Sequence, residues 1–185
     1  VNFDIYVPID GEVGFSNIVE KVLQENPKKI RDIALESSLD GCIIKNSEGK
    51  LFYSLADTRI KNLDEIPSPY LTGLVDKFFD DNLIPMLQTN RGCPFSCTFC
   101  TDGREAVNMV NRFSKERTEA EINYIAKHVK NNIHSMFVSD LNFGMIPGDI
   151  ETCNFISDVQ DKYDYPHKLL TTTGKNNKKK IIESI

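Results

Sequence analysis

The spacing of apolar positions changes along the chain, and each change marks an element. Phe3, Ile5, Val7 and Ile9 alternate, which fits a short strand over residues 3–9. Ser16 reads as an N-cap, and Ile18, Val19, Val22 and Leu23 then form a helical stripe. That helix should stop at Asn26-Pro27, because the residue before a proline avoids the helical region. A second short helix is expected over 30–35. Cys42-Ile43-Ile44 and Leu51-Phe52-Tyr53 flank Asn46-Ser47-Glu48-Gly49, the pattern of a β-hairpin. Residues 57–70 lose periodicity and carry Pro67 and Pro69, as a linker would, and 71–79 reads as a short helix.

From residue 83 the rhythm is different. Residues 84–89 fit a strand, and a cysteine-rich loop follows. Thr118 and Glu121 read as a capping box, with Ile122, Ile125, Ala126 and Val129 on one helical face. A strand is expected over 135–139. Pro147-Gly148-Asp149 then opens a helix whose apolar face is Cys153, Ile156, Val159 and Tyr163. A further strand over 168–173 and a helix from 178 complete the pattern. Strands alternating with helices predict βα units and a parallel sheet, hence an α/β fold.

Composition narrows the function classes. Of 185 residues, 40% are apolar and 26% charged, which excludes wholesale disorder. A net charge of −5 argues against a general nucleic-acid surface. No apolar run approaches the ~20 residues of a membrane span, so no membrane partner is expected. The five cysteines (Cys42, Cys93, Cys97, Cys100 and Cys153) are odd in number, and three fall within eight residues. That is unlike a secreted disulfide framework and points to a reducing cytoplasm. The chain opens at Val1 within a strand and closes on Ile181-Ile182-Glu183-Ser184-Ile185 within a helix, as an internal fragment of a longer protein would.

Asn90-Arg91-Gly92-Cys93-Pro94-Phe95-Ser96-Cys97-Thr98-Phe99-Cys100 holds three cysteines as C-x3-C-x2-C. A tight loop of this kind can aim three soft thiolates at one centre, which suits an iron–sulfur cluster or zinc. A [4Fe–4S] cluster ordinarily takes four cysteines, so three would leave one iron open. Gly92 lets the backbone approach closely, and Pro94 stiffens the loop. Two other readings stand beside this one. A structural zinc site would recruit His128, His134 or His167, none at finger spacing from the cysteines. A SAM-independent electron-transfer cluster would want a fourth cysteine, and Cys42 and Cys153 lie far away in sequence.

The loop resembles that of the radical S-adenosylmethionine (radical SAM) superfamily. Phe99 matches the aromatic residue common before the third cysteine, and "QTNRGCPFSCTFC" resembles the members with an N-terminal cobalamin-binding domain. "LDEIPSPY" is similar to the linker before their barrel, and "IDGEVGFSNIVEKVL" to the last strand and helix of their Rossmann-like domain. The resemblance implies three regions. Residues 1–56 would be a Rossmann-like remnant with a hairpin, 57–82 a linker, and 83–185 the first three βα units of a partial (β/α) barrel. A closed barrel needs at least ~200 residues.

The resemblance also implies a [4Fe–4S] cluster on Cys93, Cys97 and Cys100, with SAM chelating the fourth iron. Reductive cleavage of SAM would give a 5′-deoxyadenosyl radical for hydrogen abstraction from an unknown substrate, with methyl transfer among the reactions open to it. An electron donor such as flavodoxin or ferredoxin would be the redox partner. Phe99, Asp140, Thr173 and Lys175 are the implied cofactor-binding residues, Asp140 toward the SAM amino group and Thr173 and Lys175 toward its carboxylate or ribose. The resemblance admits cobalamin, but the Asp-x-His-x-x-Gly motif for its lower ligand is absent here.

Other features carry bland readings. Gly174-Lys175 lacks the phosphate-loop frame, and Lys178-Lys179-Lys180 reads as a solvated helix face. Arg91 and Arg104 read as surface ion-pairing residues, Cys42 as strand core, and Cys153 as a small buried hydrophobe.

Overall fold

The structure, a computed structural model, describes residues 3–26, 39–46, 48–54, 59–80, 82–105, 107–174 and 178–183. The chain divides into two compact units, Val1–Ile60 and Lys61–Ile185.

In the first unit, strands β1 (Ile5–Tyr6), β2 (Cys42–Lys45) and β3 (Leu51–Ser54) form an antiparallel sheet in that order, with helix α1 (Gly11–Glu25) between β1 and β2 in the chain. The hairpin register sets Ile43 against Tyr53 and Ile44 against Phe52. The Asn46 side-chain oxygen accepts from the backbone N–H groups of Glu48 and Lys50, which fixes the turn. Leu39, Cys42 and Ile44 are the buried centre, with Ile5, Val7, Ile18 and Val22 packed against them. A Cβ on Gly14 would lie 2.6 Å from the Gly41 carbonyl oxygen, so α1 meets the turn before β2 backbone to backbone.

Helix α1 begins earlier than the pattern suggests. Asp10, not Ser16, occupies the N-cap in extended conformation, and Glu12 places a carboxylate in the first turn. Ser16 sits inside the helix, where its hydroxyl donates to the Val13 carbonyl. The C-cap, Asn26, takes the left-handed conformation at φ 44°, so the helix stops there as expected. The helix expected over 30–35 lies outside the described residues.

The second unit carries a parallel sheet of β4 (Met86–Leu87), β7 (Ser135–Val138) and β8 (Lys168–Thr171), in that order. Leu87 pairs with Val138, and Val138 with Thr171. A two-residue antiparallel pair, β5 (Asn90–Arg91) and β6 (Asn111–Arg112), closes the base of the cysteine loop. Helix α2 (Lys115–His128) joins this pair to β7, α3 (Asp149–Tyr163) joins β7 to β8, and α4 (Lys178–Glu183) follows β8. Ile122, Ile125 and Ala126 of α2 and Ile156 and Val159 of α3 bury against Leu87, Met136 and Val138 of the sheet. The strand–helix alternation is thus an α/β arrangement on a parallel sheet.

Two local expectations fail in this unit. Ser114, not Thr118, caps α2: its hydroxyl oxygen accepts from the Arg117 N–H at 3.2 Å. Thr118 lies one turn in and donates its hydroxyl to the Ser114 carbonyl, while Glu121 accepts from Arg117 at 3.0 Å. Residues 71–79 form turns and one 3-10 turn (Asp76–Phe78) rather than a helix. Gly73 at φ 71° reverses the backbone there.

Candidate functional site

The site is built at the C-terminal ends of the parallel strands, where open α/β sheets place their chemistry. After β4 the chain runs through Gln88 and Thr89 into β5, and after β7 it reaches Ser139 and Asp140. Asp140 is 1% exposed, and its two oxygens clasp the end of β4. One accepts the backbone N–H of Thr89 at 2.8 Å and of Asn90 at 3.2 Å. The other accepts the Thr89 hydroxyl and, at 2.9 Å, the Asn90 side-chain amide. Burial pushes the Asp140 carboxyl above the usual carboxylate range, against the opposing pull of these hydrogen bonds. A carboxylate so engaged shows no open face to an ammonium group. Asp140 is thus placed as a brace between strand ends.

A second buried carboxylate extends the brace. Asp149, at the start of α3 and 1% exposed, takes Arg112 Nη1 at 2.7 Å on one oxygen. Its other oxygen accepts the N–H groups of Gly144 and Ile146 at 2.9 and 2.8 Å. Arg112 Nη2 also lies 3.5 Å from the Thr89 hydroxyl oxygen. Arg112 therefore links the two carboxylates from β6, the far side of the cysteine loop. Thr89, Arg112 and Asp149 carry no sequence motif of their own. Asp149 behind Pro147-Gly148 marked a helix start, but nothing in the sequence names Arg112 as its partner.

The cysteine loop is the excursion between β5 and β6. Gly92, at φ 114°, lets it leave the strand. The Cys100 N–H donates to the Cys97 carbonyl at 3.1 Å, and the Gly103 N–H to the Cys100 carbonyl at 3.2 Å. A Cβ on Gly103 would lie 2.8 Å from the Cys97 nitrogen, so the turn is closed against Cys97. All three thiols are free, Cys97 being exposed and Cys93 and Cys100 half-buried. The Asn142 side-chain amide donates to Cys93 Sγ at 3.2 Å. Arg91 Nε donates to the Gln88 side-chain oxygen and Arg104 Nε to the Thr101 carbonyl, each at 2.9 Å.

Among the described residues, no group of three or more His, Cys, Asp or Glu side chains is gathered closely enough to hold a metal ion. The loop nonetheless fits a cluster with three soft ligands. It carries three unpaired thiols on one excursion, a turn that excludes a side chain at Gly103, and an amide donor on one sulfur. The histidines are placed elsewhere: His128 stacks on Tyr124, and His134 on His167.

The remaining expected residues are spread out. Phe99 stands 92% exposed. The Thr173 hydroxyl donates to the Phe143 carbonyl at 2.7 Å, and Thr173 borders a cavity of about 500 Å³ with Phe143, Cys153, Ile156, Leu169 and Ile181. None of the loop cysteines lines that cavity. Lys175 lies outside the described residues. Cys42 is strand core, with its thiol held above the usual value by burial. No helix among the described residues is long and apolar enough to cross a membrane.

No family profile matches the chain. Two bacterial proteins align with 97% of it: the cobalamin-dependent radical SAM methyltransferase TokK of Streptomyces tokunonensis at 25% identity, and the 2-(S-pantetheinyl)-carbapenam-3-carboxylate methyltransferase of Streptantibioticus cattleyicolor at 28%. The chain spans about a quarter (26%) of the length of each. Among solved structures, it is similar in fold to the cobalamin-dependent SAM radical enzyme OxsB. The apo form matches with a TM-score of 0.63 at 20% identity, over 97% of this chain and 25% of that one. The form with aqua-cobalamin and SAM bound matches at 0.57 and 22%, over 83% and 21%. The resemblance to radical SAM proteins of the cobalamin-binding type therefore holds across nearly the whole chain.

Proposed function

We propose that this chain is the cluster-bearing part of a cobalamin-dependent radical SAM enzyme that transfers a methyl group to an unknown substrate. The observation that carries the reading is the C-x3-C-x2-C excursion itself. It presents three free thiols at the C-terminal ends of parallel strands and is anchored there by Asp140 and Arg112. Cys93, Cys97 and Cys100 would hold three irons of a [4Fe–4S] cluster, leaving the fourth for SAM. When bound, that pair supplies one-electron cleavage of SAM to methionine and a 5′-deoxyadenosyl radical.

The chain's own residues have narrower tasks. Asp140, through Thr89 and Asn90, fixes the direction in which β5 carries the loop away from the sheet. Phe99 would close over the bound cofactor, which accounts for a large aromatic side chain left in solvent. Thr173 and Lys175 remain the proposed contacts at the end of β8. Residues 83–185 would be the first three βα units of a (β/α) barrel, 57–82 a linker, and 1–56 the end of a Rossmann-like, cobalamin-binding domain. The protein would work in the cytoplasm with a flavodoxin- or ferredoxin-type electron donor.

The test is electron paramagnetic resonance on the full natural chain, reconstituted with iron and sulfide without oxygen and then reduced. The expected result is a [4Fe–4S] signal that changes on adding SAM and is lost when Cys93, Cys97 and Cys100 are each replaced by alanine. A cluster indifferent to SAM would leave an electron-transfer protein. A colourless chain with one bound zinc would leave a structural site.

A further inference from the structure

Asn142 follows β7 by four residues and is 6% exposed, yet its side-chain amide reaches a thiol 49 positions earlier in the chain. The contact is 3.2 Å from Nδ2 to Cys93 Sγ. Amide N–H to sulfur is a weak bond for a neutral thiol and a stronger one for a thiolate, whose charge it meets directly. Asn142 is also held from the other side. A Cβ on Gly174 would stand 2.9 Å from Asn142 Oδ1 and would also overlap the Met145 sulfur, so only glycine lets the end of β8 pass this close. The backbone adds a further tie, since the Met145 N–H donates to the Asn142 carbonyl at 3.2 Å.

We propose that Asn142 is a positioning residue for the cluster, donating a hydrogen bond to the Cys93 ligand sulfur and thereby setting how readily the cluster accepts its electron. This rests on reading Cys93 as an iron ligand. Hydrogen bonds to ligand sulfurs stabilise the more negative, reduced cluster, so their loss makes reduction harder. Gly174 keeps the amide in place by staying out of its way.

The test is a redox titration of the reconstituted full natural chain, followed by the signal of the reduced cluster. In Asn142→Ala the ratio of reduced to oxidised cluster at a fixed solution potential should fall, on the order of three- to tenfold, with iron content unchanged. The tenfold end corresponds to ~59 mV for one electron. Gly174→Ala, which keeps the amide but displaces it, should shift the ratio in the same direction by less. A second measurement needs no variant: with asparagine labelled by heavy nitrogen at the side-chain amide, pulsed resonance on the reduced wild-type cluster should show coupling to that nitrogen. An unshifted ratio in an iron-replete Asn142→Ala, or an absent coupling, overturns the proposal while leaving the cluster reading intact. A wild type that takes up no cluster overturns both.

Discussion

Asp140 meets four donors with two oxygens, and none of them is a cation. Removing the side chain strands two buried N–H groups, the Thr89 hydroxyl and the Asn90 amide. Asp140→Ala should therefore cost about 3 kcal/mol in chemical denaturation, since each stranded donor loses part of its desolvation compensation. The sign of the pH effect follows from the raised carboxyl. The folded state holds that proton more readily than the unfolded chain does. Between the ordinary carboxylate value and the raised one, stability thus falls as pH rises. In that window the wild type should lose stability relative to Asp140→Asn, measured by urea titration at stepped pH; the opposite slope would reverse the assigned shift. The sequence marked Asp140 as important by its place after a strand, but its partners lie 50 and 51 positions away, and residue spacing cannot carry that information. The Asn142 contact with Cys93 was hidden for the same reason.

Element boundaries follow a different logic. Apolar periodicity places the buried faces of α2 and α3 correctly, because burial is what the period encodes. Starts depend instead on one side chain finding one N–H, and several residues compete for that role. Ser114 outcompetes Thr118 in this way, whereas Asp10 holds the N-cap position of α1 through its extended backbone, with no side-chain capping bond. Ser114→Ala should destabilise the second unit by about 1 kcal/mol, whereas Thr118→Val keeps the shape of the buried side chain and removes the back-bond hydroxyl. Matched thermal melts of the two variants would separate these roles, and equal losses would count against Ser114 as the cap. At the start of α3, Arg112→Ala leaves a carboxylate that is 1% exposed without its cation. The expected loss is about 3 kcal/mol, toward the low end for a broken buried pair because Gly144 and Ile146 keep one oxygen bonded. Denaturation of Arg112→Ala beside Arg104→Ala would check this, since Arg104 is exposed and its Nε donates to the nearby Thr101 carbonyl.

At the scale of the whole molecule, the three parallel strands were legible as strands alternating with helices, and the cysteine spacing pointed to the resemblance that the relatives share. The clasp that orients the cysteines was not, because it forms only when β7 lies beside β4. That dependence has a consequence in time. A chain grows at ~5–20 residues per second, so roughly 3–10 s separate the synthesis of Thr89 from that of Asp140, 51 positions later. From the synthesis of Cys100, 40 positions before Asp140, the three loop thiols exist without the brace that directs them or the Asn142 amide that covers one of them. Stalled nascent chains ending before Asp140 should label at Cys93, Cys97 and Cys100 equally with a thiol reagent. Chains extended past the end of β8 should protect Cys93 first. The order in which the ribosome delivers these residues thus makes the ordering of the loop lag its own synthesis, and its cysteines are most open to oxygen before the sheet that organises them has been made.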